Sequence, residues 1–78
     1  MKTSKSDAEL EYAKAFGQML RIQRERQKIT QLQLATKLKL KGNKAISKYE
    51  AGILTPSVYQ AAKIAEALNI TIELNTHR

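Results

Sequence analysis

The chain has 78 residues, enough for one domain, and carries a formal net charge of +7. It contains no cysteine, which excludes disulfides and cysteine-based zinc sites, and its single histidine, His77, stands next to the C-terminal residue. No run of about 18 apolar residues occurs, and no apolar stretch follows the basic N-terminus. We therefore expect a cytoplasmic protein with no membrane span and no signal peptide.

The positive charge is concentrated in one stretch of the sequence. Residues 21–48 contain nine basic side chains and one acid, Glu25, so this stretch carries +8 while the whole chain carries +7. A concentrated cationic segment is typical of a nucleic-acid binder. Lysines on the exposed helix faces of an ordinary soluble protein are the alternative explanation.

Four helices are predicted, in chain order, from apolar residues at 3.6-residue spacing and from capping signals. Residues 1–9 form a tail and the start of the first helix, where Ser6 and Glu9 match a capping box. The apolar stripe of this helix consists of Ala13, Phe16 and Leu20. The helix should end near Gln27.

A second, short helix begins at another capping box, formed by Thr30 and Gln33. Its buried side consists of Leu34, Ala35 and Leu38. In the third helix, Ile46 and Tyr49 are three residues apart and therefore share one face. Gly52 should end that helix, because glycine readily adopts the left-handed conformation.

The fourth helix follows Pro56, with Ser57 and Gln60 as its capping box. Its inner face consists of Ala61, Ile64, Ala65 and Leu68. Asn69 can take the left-handed conformation that ends a helix. Over residues 70–74 the apolar period changes from 3.6 to 2, which predicts a β-strand.

These elements predict an all-α fold, a compact bundle of four to five helices, plus a short C-terminal β-strand. The second and third helices are short and joined by a tight connection, which is a helix-turn-helix arrangement. In that arrangement the start of the first helix can direct N–H groups at a phosphate, and the second helix fits the major groove. We therefore expect residues 10–69 to form a domain that binds double-stranded DNA, and residues 70–78 to form a C-terminal strand and tail.

The motifs on these helices form an ordered set. They are Phe16-Gly17-x-x-Leu20-Arg21-x-x-Arg24, Thr30-Gln31-x-x-Leu34-Ala35, Ile46-Ser47-x-x-Glu50-x-Gly52, Pro56-Ser57 and Ile64-Ala65-x-Ala67-Leu68. With this set the sequence resembles the lambda-repressor/Cro-like (XRE-type) family of helix-turn-helix transcriptional regulators over residues 14–69. The resemblance implies a homodimeric repressor on a pseudo-palindromic operator. The apolar members of the motifs serve as core, whereas Gln31 and the polar face of the third helix have no purpose in a core.

Two departures from the family pattern affect where the third helix begins, which is the recognition helix that enters the major groove in this family. The stretch from Thr30 to Ser47 is one residue longer than usual. Lys39-Leu40-Lys41 stands where a turn glycine is normally found, and Gly42 comes later. The register of the recognition helix therefore depends on whether residues are counted back from Ile46 or forward from Thr30.

The backward count places four residues at the major groove: Asn43, Lys44, Ser47 and Lys48. The forward count instead favours Gly42, Asn43 and Ala45. We prefer the backward count, because burial of Ile46 fixes the orientation of the helix. Asparagine can bond adenine bidentately and lysine can reach guanine O6 and N7, although Lys48 touching only a phosphate is the alternative.

Further roles follow from the motif and the resemblance. Four residues are expected at DNA phosphates, namely Thr30, Gln31, Lys41 and Thr55. The resemblance also implies a structural ion pair between Arg24, late in the first helix, and Glu50, near the end of the recognition helix. The alternative is that each of these two side chains simply faces water.

The predicted strand suggests how two copies associate. Ile70, Ile72 and Leu74 share one face of it, and a lone strand leaves an unpaired edge. Pairing with the same strand of a second copy would fill that edge and form a homodimer. The alternatives are a frayed tail or an interface on Val58 and Tyr59.

The chain offers no means of catalysis. Its seven acids make no plausible metal cluster, no nucleophile has a base beside it, and no glycine-rich phosphate loop occurs, so we expect neither an enzyme nor a cofactor. Two alternatives to a simple repressor remain. One is an antitoxin that also binds a cognate toxin, which the C-terminal strand favours. The other is a protein-interaction module that kept the fold without binding DNA, which the basic stretch disfavours.

Overall fold

The structure, a computed structural model, describes residues 7–70 of the chain. Four helices lie in this range: α1 (Asp7–Arg26), α2 (Gln31–Lys37), α3 (Lys44–Glu50) and α4 (Val58–Leu68). The predicted all-α bundle is confirmed for these residues. Of the predicted strand only Ile70 is described, and residues 71–74 lie outside the described range, as does Ser6 of the first predicted capping box.

One apolar core joins the four helices. Among residues 7–70 no polar or charged residue is buried. The buried hydrophobic residues are Ala13, Phe16, Leu20, Leu34, Ala35, Ile46, Tyr49, Ala61, Ile64, Ala65 and Leu68. The predicted inner face of every helix is thereby confirmed, with the exception of Leu38, which packs half-buried at the edge of the core.

A close contact between helix backbones joins α1 to the end of α3. A Cβ atom at Gly17 would overlap the backbone carbonyl oxygen of Tyr49 and press against the backbone of Glu50. Next to this contact, the rings of Phe16 and Tyr49 meet edge to face with centroids 6.2 Å apart. Glycine at position 17 therefore lets α1 approach closely enough to hold α3 in place.

The helices begin in two different ways. The predicted capping boxes of α2 and α4 are both confirmed: Thr30 Oγ1 accepts from the Gln33 N–H at 3.0 Å, and Ser57 Oγ accepts from the Gln60 N–H at 3.1 Å. Each bond satisfies one of the N–H groups that a helix start leaves unpaired. The N-cap of α3, Asn43, makes no such side-chain bond.

All four helices are followed by a residue in the left-handed conformation. This was predicted for Gly52 (φ 76°) and Asn69 (φ 57°) and is confirmed for both. After α1 and α2 the residues are lysines, Lys28 (φ 58°) and Lys39 (φ 62°). Lys39 thus adopts the turn conformation for which the family pattern has a glycine, at a cost of about 1 kcal/mol. Gly42 is not needed for this purpose, since its φ is not positive.

Candidate nucleic-acid interface

Helix α3 has one buried face and one exposed polar face. Ile46 and Tyr49 point into the core. The residues of the backward count, Asn43, Lys44, Ser47 and Lys48, are all exposed. Ala45, which the forward count favours, is half-buried and packs against the core. The start of α3 at Lys44 therefore leaves the backward set accessible to a ligand, and base contacts by these four residues remain a prediction.

Asn43 stands immediately before α3 and does not cap it. Its backbone lies at φ −91° and ψ 8°, away from the extended conformation of the two capping residues Thr30 and Ser57. Its side-chain Nδ2 instead donates to Oε1 of Gln31, 3.4 Å away. The amide of Asn43 is thereby directed across the motif towards the first residue of α2.

The structure brings Arg24 and Glu50 together as a two-point ion pair. Arg24 Nε donates to Glu50 Oε2 at 2.6 Å, and Nη2 donates to Oε1 at 3.1 Å. The side chains are only 11% and 6% exposed. Arg24 Nη1 also donates to the carbonyl oxygen of Ile29 at 2.7 Å, which ties the α1–α2 connection to the pair. The hydrogen bond to Glu50 raises the pKa of Arg24 above its ordinary value, partly opposed by desolvation.

Gln31 links this ion pair by hydrogen bonds to Asn43, the residue before α3. Its Nε2 donates to Glu50 Oε1 at 3.1 Å, which leaves Oε1 of Gln31 to accept from Asn43. A carboxylate can only accept, so the presence of Glu50 fixes which end of the Gln31 amide faces it. Gln31 lies outside the core, as expected, but it makes a structural contact that was not predicted from the sequence. A series of hydrogen bonds runs from Arg24 through Glu50 and Gln31 to Asn43.

The other residues expected at phosphates lie apart from this series. Thr30 is exposed, but its hydroxyl and its backbone N–H are both engaged in the capping box of α2. Lys41 is exposed in the connection between α2 and α3, and Thr55 is half-buried in the connection between α3 and α4. Thr30 is thus the N-cap of α2, and Lys41 and Thr55 each lie in a connection three residues before the next helix begins.

A shallow depression of about 270 Å³ lies between the C-terminal part of α1, the start of α2 and the exposed side of α3. It is lined by Arg21, Arg24, Glu25, Gln31, Ser47, Glu50 and Ala51. Two charged residues of this lining, Arg21 and Glu25, were given no site role from the sequence. Their spacing of four residues on a helix is the signal that pairs them, and Arg21 Nε lies 3.2 Å from Glu25 Oε2.

Residues 7–70 contain neither a metal-ligand cluster nor a membrane-spanning helix. Within residues 7–70, no three acidic or histidine side chains cluster as ligands for a metal ion would. In the described range, no helix is both long enough and apolar enough to cross a bilayer.

Comparison with known proteins identifies one similarity. A family model described as helix-turn-helix matches residues 20–75, more than two thirds of the chain. The match begins within α1 and includes all of α2, α3 and α4, so it covers the whole series of hydrogen bonds from Arg24 to Asn43. No curated protein and no solved structure shows significant similarity to the chain.

Proposed function

Because the chain belongs to the helix-turn-helix family, a family of DNA-binding regulators, we propose that it is a transcriptional repressor that reads a specific operator with α3. In this proposal Asn43, Lys44, Ser47 and Lys48 contact base edges. Thr30, Gln31, Lys41 and Thr55 contact phosphates. The part-buried Arg24–Glu50 pair holds α3 against α1 but does not touch DNA.

The observation that carries this proposal is the position of Asn43. Its amide donates one N–H to Gln31, which leaves its carbonyl oxygen and second N–H unused by that bond. One acceptor and one donor side by side are what the N6 amino group and N7 of adenine require in the major groove. Lys44 follows at the first position of the helix, where a lysine can reach guanine O6 and N7.

Selection of bound sites from random DNA tests this proposal. The protein should recover a pseudo-palindromic sequence with two half-sites about one helical turn apart, because two recognition helices related by a two-fold axis lie ~34–36 Å apart. Recovery of no common sequence would contradict specific recognition and would favour the protein-interaction module instead.

Binding should also weaken steeply with salt. Each phosphate neutralised by the protein adds about −0.9 to the slope of log K against log salt concentration. The cationic residues 21–48 and the dimeric state together predict a slope of several units. An affinity that does not change between low and moderate salt would contradict DNA binding altogether.

A homodimer is part of the proposal. Ile70 is half-buried against the core, which supports a fixed starting point for the strand 70–74. That strand, with Ile72 and Leu74 on the face of Ile70, would pair with its copy about the two-fold axis. Truncation after Asn69 should abolish dimerisation and operator affinity together. A truncated protein that stays dimeric at micromolar concentration would place the interface on Val58 and Tyr59, both of which are exposed.

An antitoxin that represses its own operon is the finer version of the same proposal. It rests on the strand 70–74, and it adds a toxin as a second partner. Co-expression with the product of a neighbouring reading frame tests it: a stable complex that still binds the operator would support the antitoxin role. Operator binding without any such complex would leave the simple repressor.

A further inference from the structure

Arg21 and Glu25 form an exposed ion pair at the rim of the depression between α1, α2 and α3. Arg21 Nε donates to Glu25 Oε2 at 3.2 Å, and the two side chains are 64% and 54% exposed. Glu25 is the only acid in the basic stretch 21–48. Exposed pairs of this kind contribute little free energy, so another anion can replace the carboxylate beside Arg21.

The charges around the depression differ in how firmly they are held. It is lined by two arginines and two glutamates, so its formal charges cancel. Arg24 and Glu50 are nearly buried and bonded to each other at 2.6 Å. Turning either side chain towards a ligand would therefore cost the free energy of breaking the pair. Glu25 Oε2 lies 3.2 Å from Arg21 Nε and 3.9 Å from Arg24 Nη2, but the side chain is half exposed and can rotate into solvent. When it does, the depression carries a net positive charge and Arg21 is released.

Arg21 shares this depression with two residues of the proposed DNA interface. The depression is also lined by Gln31, which is expected at a phosphate, and by Ser47, which is expected at a base edge. A DNA backbone that passes Gln31 therefore comes within reach of the long Arg21 side chain. The guanidinium group of arginine matches the geometry of phosphate oxygens and can bond two of them at once.

We propose that Arg21 binds a DNA backbone phosphate and that Glu25 competes with this phosphate for Arg21. The inference rests on the proposed function and names one more residue of that interface. Glu25 thus acts as an internal substitute for the phosphate: it lowers affinity for every DNA sequence equally, because a backbone contact carries no sequence information. Removing its charge should strengthen binding to operator and random DNA alike.

Fluorescence anisotropy with a labelled operator and a labelled random duplex, over a series of salt concentrations, tests this proposal. Arg21→Ala should weaken binding to both duplexes and make the salt slope shallower by about 0.9 for each bound protomer, hence by roughly twice that for the dimer. Glu25→Gln should strengthen binding to both by about two- to fivefold, the range that an exposed ion pair allows. In the Arg21→Ala background, Glu25→Gln should have much less effect, because its effect acts through Arg21.

The chain provides a matched control pair on α4. Lys63 Nζ lies 3.7 Å from Glu66 Oε1, with side chains 51% and 75% exposed, so Lys63→Ala and Glu66→Gln change the net charge by the same amounts. Both residues line a different groove, beside Lys37 and Ala67, which holds none of the proposed DNA contacts. The control variants should change affinity much less than the variants of Arg21 and Glu25.

Each outcome of the experiment has a separate meaning. Equal effects from the two pairs would show that only net charge matters and would overturn the inference while leaving DNA binding intact. An undiminished effect of Glu25→Gln without Arg21 would overturn the competition. Failure of the unmodified protein to bind either duplex would overturn the proposed function itself, and the inference with it.

Discussion

Helices α2 and α3 are each seven residues long and belong to one motif, yet they are held in different ways. Helix α2 begins with a complete capping box between Thr30 and Gln33, a signal contained in four consecutive residues. Helix α3 has no side-chain cap at Asn43. It is fixed instead by residues far away in sequence, through the α1 contact at Gly17 and the ion pair with Arg24.

This difference fits the separate tasks of the two helices. A capping side chain is occupied by its own backbone, as the hydroxyl of Thr30 is. A residue that must read a base cannot be occupied in this way. Isolated helices this short are unstable in water, so α3 must take its stability from tertiary contacts. The contacts at its C-terminal end, at Tyr49 and Glu50, leave its N-terminal end accessible.

The largest effect should come from breaking the ion pair that holds α3. Arg24→Ala leaves the carboxylate of Glu50 nearly buried without its cation, and we expect the free energy of unfolding to fall by about 3 kcal/mol. Denaturant unfolding measures this loss. Because Glu50 also accepts from Gln31, the same variant should weaken DNA binding through the position of α3.

A double-mutant cycle separates the pair from its surroundings. Glu50→Ala alone should also destabilise the protein, and the double variant should be clearly less destabilised than the sum of the two. Arg21→Ala, which breaks an exposed pair on the same helix, is the control and should cost no more than about 1 kcal/mol. Additive effects of Arg24→Ala and Glu50→Ala would show that the contact does not hold α3.

Replacement of the residues that precede the two helices compares them directly. Thr30→Ala removes a cap and should lower the free energy of unfolding by about 1 kcal/mol. Asn43→Ala removes no cap and should change it by at most a few tenths, since only the 3.4 Å bond to Gln31 is lost. Thermal unfolding of the two variants in parallel checks this. Equal losses of stability in the two variants would contradict the proposed difference in how α2 and α3 are held.

The smallest effect concerns the contact between α3 and α4, at the buried Tyr49. Tyr49 Oη donates to Oε1 of Gln60 on α4 at 2.8 Å, and burial raises the pKa of Tyr49. The unfolded chain therefore releases this proton first, and stability should fall as the pH rises above about 10, the ordinary tyrosine pKa. Below that pH the contribution is complete.

Tyr49→Phe should remove this part of the loss of stability at alkaline pH. The midpoint of urea unfolding between pH 8 and pH 11 measures that loss. Tyr59→Phe removes a hydroxyl from a side chain that is 71% exposed and is the matched control. If both variants follow the pH profile of the unmodified protein, Tyr49 does not contribute to it.

The features that were predicted correctly from the sequence depend on residues close together in the chain. The capping boxes of α2 and α4 and the left-handed Asn69 were read from neighbouring residues, and each is confirmed. The apolar faces were also correct, because helical spacing alone decides which residues turn inwards. The left-handed lysines Lys28 and Lys39 were not predicted, since β-carbon strain disfavours lysine there and only the helix-ending hydrogen bonds impose it.

The parts of the site that were missed depend on distant residues. Gln31 meets Glu50 only because α3 folds back across the start of α2, and their positions, 19 residues apart, carry no local signal. The contact of Asn43 with Gln31 follows from the same packing. Arg21 was noted as a charge, but its place beside Gln31 and Ser47 becomes evident only when α1 is positioned against the motif.

Operator binding by Asn43→Ala, measured together with its thermal stability, separates the roles assigned to the two ends of α3. We expect an unfolding temperature close to that of the unmodified protein. We also expect a loss of about 1–3 kcal/mol in binding to the operator, a relaxed preference at one base pair, and little change in binding to random DNA. An equal loss on all sequences, or a marked loss of stability, would show that Asn43 holds the fold or a phosphate and does not read a base.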